Sequence, residues 1–103
     1  MTLAEFTTLL NTLKIPSAYN VFKEPQKPPY ICYIVTDYEI LHADNINYEK
    51  LPNIQLELYS KLKDVASETK IENLLDENEI SYSKEEGKLS DEHLYMVTYN
   101  FTL

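Results

Sequence analysis

Apolar residues at Leu3, Phe6, Leu10 and Leu13 recur every three or four positions, which places one hydrophobic stripe along a helix. Thr2 and Glu5 frame its start as a capping box, each side chain accepting from an otherwise unpaired backbone N–H, and Pro16 bars its continuation. The period then changes. Ser17 to Phe22 reads as a short edge strand, and Lys23-Glu24-Pro25-Gln26-Lys27-Pro28-Pro29 reads as an extended connector, because proline has no N–H to give a ladder. From Tyr30 to about Leu41 apolar and aromatic residues occupy both faces, with Ile31, Tyr33 and Val35 on one and Tyr30, Cys32 and Ile34 on the other. Such a run predicts a central strand. His42 to Pro52 is a polar excursion interspersed with Ile46, Tyr48 and Leu51. Ile54, Leu56 and Leu58 then alternate with Gln55, Glu57 and Tyr59 in a half-exposed second strand.

A second helix opens at Lys63-Asp64-Val65, with Asp64 as N-cap and Glu68 placed to favour the positive end of the helix dipole. Val65, Ile71, Leu74 and Leu75 form its expected buried stripe, and Asn78 its expected left-handed stop. Ile80 and Tyr82 then alternate into a strand. Gly87, the only glycine, is expected in the turn or short loop of a hairpin. His93 to Leu103 returns with strict period two: Tyr95, Val97, Tyr99, Phe101 and Leu103 share one face, and Leu94, Met96, Thr98, Asn100 and Thr102 the other.

At 103 residues, 44% of them hydrophobic, the chain suits one folded domain over 1–103. No apolar run approaches the ~20 residues that span a bilayer, and the start, Met1-Thr2-Leu3-Ala4-Glu5, lacks a basic leader region, so a cytosolic chain with no membrane partner is expected. Cys32 is the single cysteine; it permits no internal disulfide and reads as a buried, inert thiol. The formal net charge is −8. Most of it lies in 64–92, where ten acids face three lysines. Such a surface repels phosphates, so direct nucleic-acid binding is not expected; the segment reads as a solvated face, or as a wall non-adhesive toward DNA.

Candidate chemistry is sparse. Two histidines, His42 and His93, with one cysteine make no zinc set, and one glycine excludes a glycine-rich phosphate loop. Asp37 with Glu39, or Glu57 opposite one of them across strands, are carboxylate pairs best read as exposed strand positions. No catalytic, cofactor-binding or metal-ligating residue is assigned, and an enzyme is not expected. Nine tyrosines without a tryptophan point instead to contact, since tyrosine joins a large apolar face to a hydroxyl that seeks a partner. Tyr33, Tyr95 and Tyr99 are assigned to the core. Tyr38 and Tyr48, flanking His42-Ala43-Asp44-Asn45, are assigned to a protein interface.

Several strings fall in this helix, strands, helix, strands order: Leu13-Lys14-Ile15-Pro16-Ser17-Ala18-Tyr19 with Phe22, Pro29-Tyr30-Ile31-Cys32-Tyr33, Ala43-Asp44-Asn45 with Tyr48, Leu56-Glu57-Leu58-Tyr59 with Lys63-Asp64, and Leu74-Leu75-Asp76-Glu77-Asn78. Together the chain resembles the small tail-terminator, or tail-completion, proteins of long-tailed phages and prophages of Gram-positive bacteria. The resemblance implies an α+β fold, a mainly antiparallel mixed sheet against two α-helices in the order α-β-β-β-α-β-β. It further implies a virion structural protein that assembles in the host cytoplasm. Its ring, usually of six copies, would sit on the tail-tube protein at the head-proximal end, halt polymerisation and dock the head-tail connector proteins. Ring contacts are heterologous, one patch meeting a different patch. The two candidate patches are Tyr38, His42, Asp44, Asn45 and Tyr48 in the excursion, and Glu86 and Lys88 in the 84–92 hairpin. Acidic residues of 64–92 then become candidates for lining a DNA channel. Other readings are a different neck component, such as a head-closure protein, and an acidic monomeric inhibitor or DNA mimic.

Overall fold

The computed structural model describes residues 1–89 and 93–103, without the side chains of Asn47, Tyr48 and Leu89. The chain runs α1 (Leu3–Asn11), β1 (Ser17–Tyr19), β2 (Tyr30–Ala43), β3 (Ile46–Ser60), α2 (Val65–Glu77), β4 (Tyr82–Leu89) and β5 (Leu94–Thr102). Five strands form one mixed sheet in the order β1-β2-β3-β5-β4. Only the β1–β2 pair is parallel, so the fold is α+β in the expected element order. The capping box is present: the Glu5 N–H donates to Thr2 Oγ1, and the Thr2 N–H to Glu5 Oε1, each at 3.1 Å.

Pairing explains which residues face inward. Ile31 lies opposite Leu58, Tyr33 opposite Leu56, and Leu56 opposite Tyr99, so the period-two positions of β2, β3 and β5 converge on one face. Phe6 and Leu10 from α1 and Ile71, Leu74 and Leu75 from α2 close over that face in a single core. Phe6 lies between Tyr33 and Phe101, its ring 6.1 and 5.3 Å from theirs. Of the three tyrosines assigned to the core, Tyr33 and Tyr99 are buried and Tyr95 is half-buried. The opposite face, with Tyr30, Cys32, Ile34, Glu57, Tyr59 and Met96, has no helix over it among the described residues.

Four local expectations are corrected. The segment 42–52 is no loop: β2 and β3 run on to a two-residue turn at Asp44 and Asn45, both left-handed (φ 52° and 64°), the backbone that a tight hairpin demands and that Asp and Asn tolerate. Gly87 lies inside β4 opposite Met96 without a positive φ, and a Cβ there would meet nothing within 4 Å, so the strand simply accepts it. Residues 90–92, on which the rest of that expectation falls, lie outside the described residues; His93, just before β5, is left-handed (φ 54°). Val65 is exposed, because it stands about 120° around the helix axis from Ile71; Glu68 occupies the buried stripe in its place. Finally, the left-handed residue after α2 is Glu79 (φ 56°), while Asn78 keeps a negative φ and its side-chain amide donates to the Leu74 carbonyl.

Candidate functional site

The most distinctive feature is the outer half of the β2–β3 hairpin. β1 pairs with β2 only over Ile31–Tyr33, and β5 pairs with β3 only from Asn53 to Ser60. Residues 37–51 therefore extend past both flanking strands as a two-stranded arm, while Pro52 is still tied to the body, its carbonyl accepting from the Leu103 N–H at 3.0 Å. A register shift between Val35 and Asp37 marks its root, where a polar clasp gathers: Thr36 Oγ1 donates to Asp37 Oδ1 (3.1 Å), Asn53 Nδ2 donates to the same oxygen (3.0 Å), and Thr102 Oγ1 donates to Asn53 Oδ1. A bulge lets the ribbon twist away from the sheet there.

Tyr38, His42, Asp44 and Asn45 all lie on this arm and all are exposed; Tyr48 lies on it too, with its side chain outside the described residues. Pairing opposite Pro52 and Lys50 puts Tyr38 and Ile40 on one face of the ribbon. Leu41 and Glu39, opposite Glu49 and Leu51, take the other. Apolar exposure here is unusual for a free ribbon: Tyr38 55%, Leu41 42% and Ile46 68%. Two-stranded ribbons are marginal in water, and large exposed apolar groups commonly mark contact surfaces. Hydrophobic patterning hid this arm, because an unaccompanied ribbon alternates no more clearly than a polar loop. The Asp44-Asn45 pair was the available signal.

Glu86 and Lys88 lie at the far end of the molecule, on β4 near its end at Leu89, so the two candidate patches occupy opposite poles. Glu86 is held within the chain. Its carboxylate pairs with Lys63 and accepts from Tyr95 Oη (2.5 Å), and these contacts lower its pKa. It closes a charged cluster between α2 and β4. Glu68, 3% exposed, accepts from Lys63 and Lys84 at 2.7 and 2.8 Å through Oε1. Oε2 of Glu68 has no hydrogen-bond partner among the described residues. Glu72 accepts from Tyr99 Oη (2.7 Å) and Lys84 (3.0 Å); although burial works against it, these donors hold its pKa below the ordinary value. The acids of 64–92 are thus not uniformly a solvated face: Glu68 and Glu72 point into the protein, while Asp76, Glu77, Glu79 and Glu85 are exposed. The spacing Glu68–Ile71–Leu75 was legible as one stripe, yet a glutamate within it reads as solvated unless its lysines, one on a distant strand, are known to meet it.

On the open sheet face Cys32 is half-buried rather than fully buried, and burial followed by the Glu57 charge raises its pKa. Glu57 lies opposite Cys32 and so is not opposite Asp37 or Glu39. It accepts from Gln55 Nε2 (3.0 Å) and from Tyr59 Oη, whose ring stacks on Tyr30 at 5.0 Å. A shallow depression of about 690 Å³ near the arm root is lined largely by amides, hydroxyls and apolar groups, with Glu79 its only acidic side chain among the described residues. No group of three or more His, Cys, Asp or Glu among the described residues is arranged to hold a metal ion, and no described helix is long and apolar enough to cross a membrane. No family model matches the sequence, and no curated protein matches it.

Proposed function

We propose that this protein is a structural subunit of the tail-terminator kind, which joins copies of itself into a ring on the tail tube, stops the tube growing and presents the head-docking surface. One observation carries the reading beside the sequence resemblance: a two-stranded arm, 37–51, leaves a compact α+β body while exposing Tyr38, Ile40, Leu41 and Ile46 to solvent. Such an arm gains stability when a neighbour covers it. Function in this reading is geometric, with no bond made or broken and no cofactor used. The partners are the tube protein below, connector proteins above and further copies alongside, all met in the host cytoplasm during assembly.

An acidic DNA mimic is less well supported, because a mimic needs its carboxylates outward, and Glu68 and Glu72 are committed to Lys63, Lys84 and Tyr99 inside the fold. Electron microscopy of tails assembled without this protein tests the proposal. Overlong, headless tails are expected; tails of normal length would remove the terminator role and leave a different neck position.

A further inference from the structure

At the end of the sheet opposite the arm tip, which Glu86 shares, two segments differ in charge from the rest of the molecule. There β2 begins at Tyr30 and β3 ends at Ser60, and the flanking segments 21–29 and 60–65 come together: Pro28, Pro29, Leu62 and Val65 border a shallow groove of about 390 Å³. These segments carry Lys23, Lys27, Lys61 and Lys63 against Glu24 and Asp64; with Lys63 tied to Glu68 and Glu86, Lys23, Lys27 and Lys61 against the two acids leave a net +1 on a chain of −8. They also expose apolar groups, Val21 at 67%, Leu62 at 80% and Val65 at 61%. The arm has the complementary character. Asp37, Glu39, Asp44 and Glu49 against Lys50 give −3 over 37–51, around the exposed Tyr38, Ile40, Leu41 and Ile46.

From these two surfaces we infer that the arm of one copy seats in the basal groove of the next, acid against lysine, with Leu41 and Ile46, which share the ribbon face of Glu39 and Glu49, against Leu62 and Val65. Eight residues of β2 beyond Val35 reach roughly 26 Å from the body, enough to cross onto a neighbour. An acidic tip cannot pair with an acidic tip, so a symmetric arm-to-arm dimer is disfavoured by like-charge repulsion. Arm and groove are different patches at opposite ends, and a contact of that kind repeats from copy to copy until it closes. The inference rests on the ring-forming reading and specifies which surfaces meet.

Its test is sedimentation velocity of the full chain at low salt, over concentrations up to about 1 mM. The arm reversal E39K/E49K and the groove reversal K27E/K61E change exposed residues outside the Glu68 cluster, and circular dichroism checks that each variant folds. Wild-type protein is expected to form species larger than a dimer. Each reversal weakens association at least tenfold, and all four changes in one chain restore it. A wild-type monomer throughout, unchanged association of either reversal, or no rescue in the combined variant overturns the arm-to-groove contact. A wild-type monomer that still caps tails, in a manner the arm reversal abolishes, assigns the arm to the tube protein and leaves the terminator reading intact. Arm-to-groove assembly by a protein whose removal leaves tail length normal defeats the terminator reading alone.

Discussion

Replacing Tyr99 with Phe removes one hydroxyl from the α2–sheet boundary and little else. Tyr99 is fully buried, and its hydroxyl donates to Glu72 Oε2 at 2.7 Å. Burial first, then that hydrogen bond to the carboxylate, holds the phenol in its neutral, donating form far above ordinary pH. A hydrogen bond to a charged group contributes about 1.5–3 kcal/mol. Glu72 keeps Lys84 at 3.0 Å and is 27% exposed, so water can take the vacated place; the expected loss is therefore near the lower limit, about 1.5 kcal/mol. For a domain of this size that is a drop of roughly 6–12 °C in Tm. The loss should also depend on pH. Glu72 has a folded-state pKa lowered below its unfolded value, so its stabilisation is complete above the unfolded value and disappears as pH falls through the folded one. Once Glu72 is protonated the hydroxyl meets a neutral group, and the deficit of Y99F should shrink to roughly half. Thermal melts followed by circular dichroism from about pH 7 down through the titration of Glu72 measure both quantities. A deficit under about 0.5 kcal/mol at neutral pH, or one that stays the same through that titration, would refute the assignment of a charge-assisted bond.

Two further outcomes are expected. Exchanging Asp44 and Asn45 together for Ala puts two ordinary residues in left-handed backbone at a cost of about 1–2 kcal/mol per residue, confined to the arm. Amide hydrogen exchange should quicken across 37–51 while the core strands stay protected, and acceleration spread evenly over the sheet would show that the arm is not a separate unit. Cys32, its thiol pushed up by burial and by Glu57, should alkylate more slowly than free cysteine at about pH 8, and Glu57→Gln should hasten it; equal rates for protein and free thiol would contradict the environment described.

Local rules sufficed wherever a signal acts over a few residues. The capping box at Thr2 and Glu5, the Phe6–Leu10 stripe, the period-two face of β5 and the Asp64 cap were all readable, because each is decided by neighbours in sequence. Element order and fold class followed from them. The outgoing strand of the arm is predicted as far as about Leu41, but His42 to Pro52 reads as a polar excursion, since nothing in it announces that the strands continue after their flanking strands stop.

What the chain alone determined was its elements, their inward faces and the position of the charge. Tertiary structure decided the rest: that β1 joins β2 in parallel, that Glu68 sits on a buried stripe beneath two lysines, one of them on β4, and that 37–51 stands clear of the body. The physical reason is range. Helix caps and periodicity arise from contacts within a turn or two, whereas strand order, a buried ion cluster and an unpaired ribbon depend on groups up to tens of residues apart meeting in space.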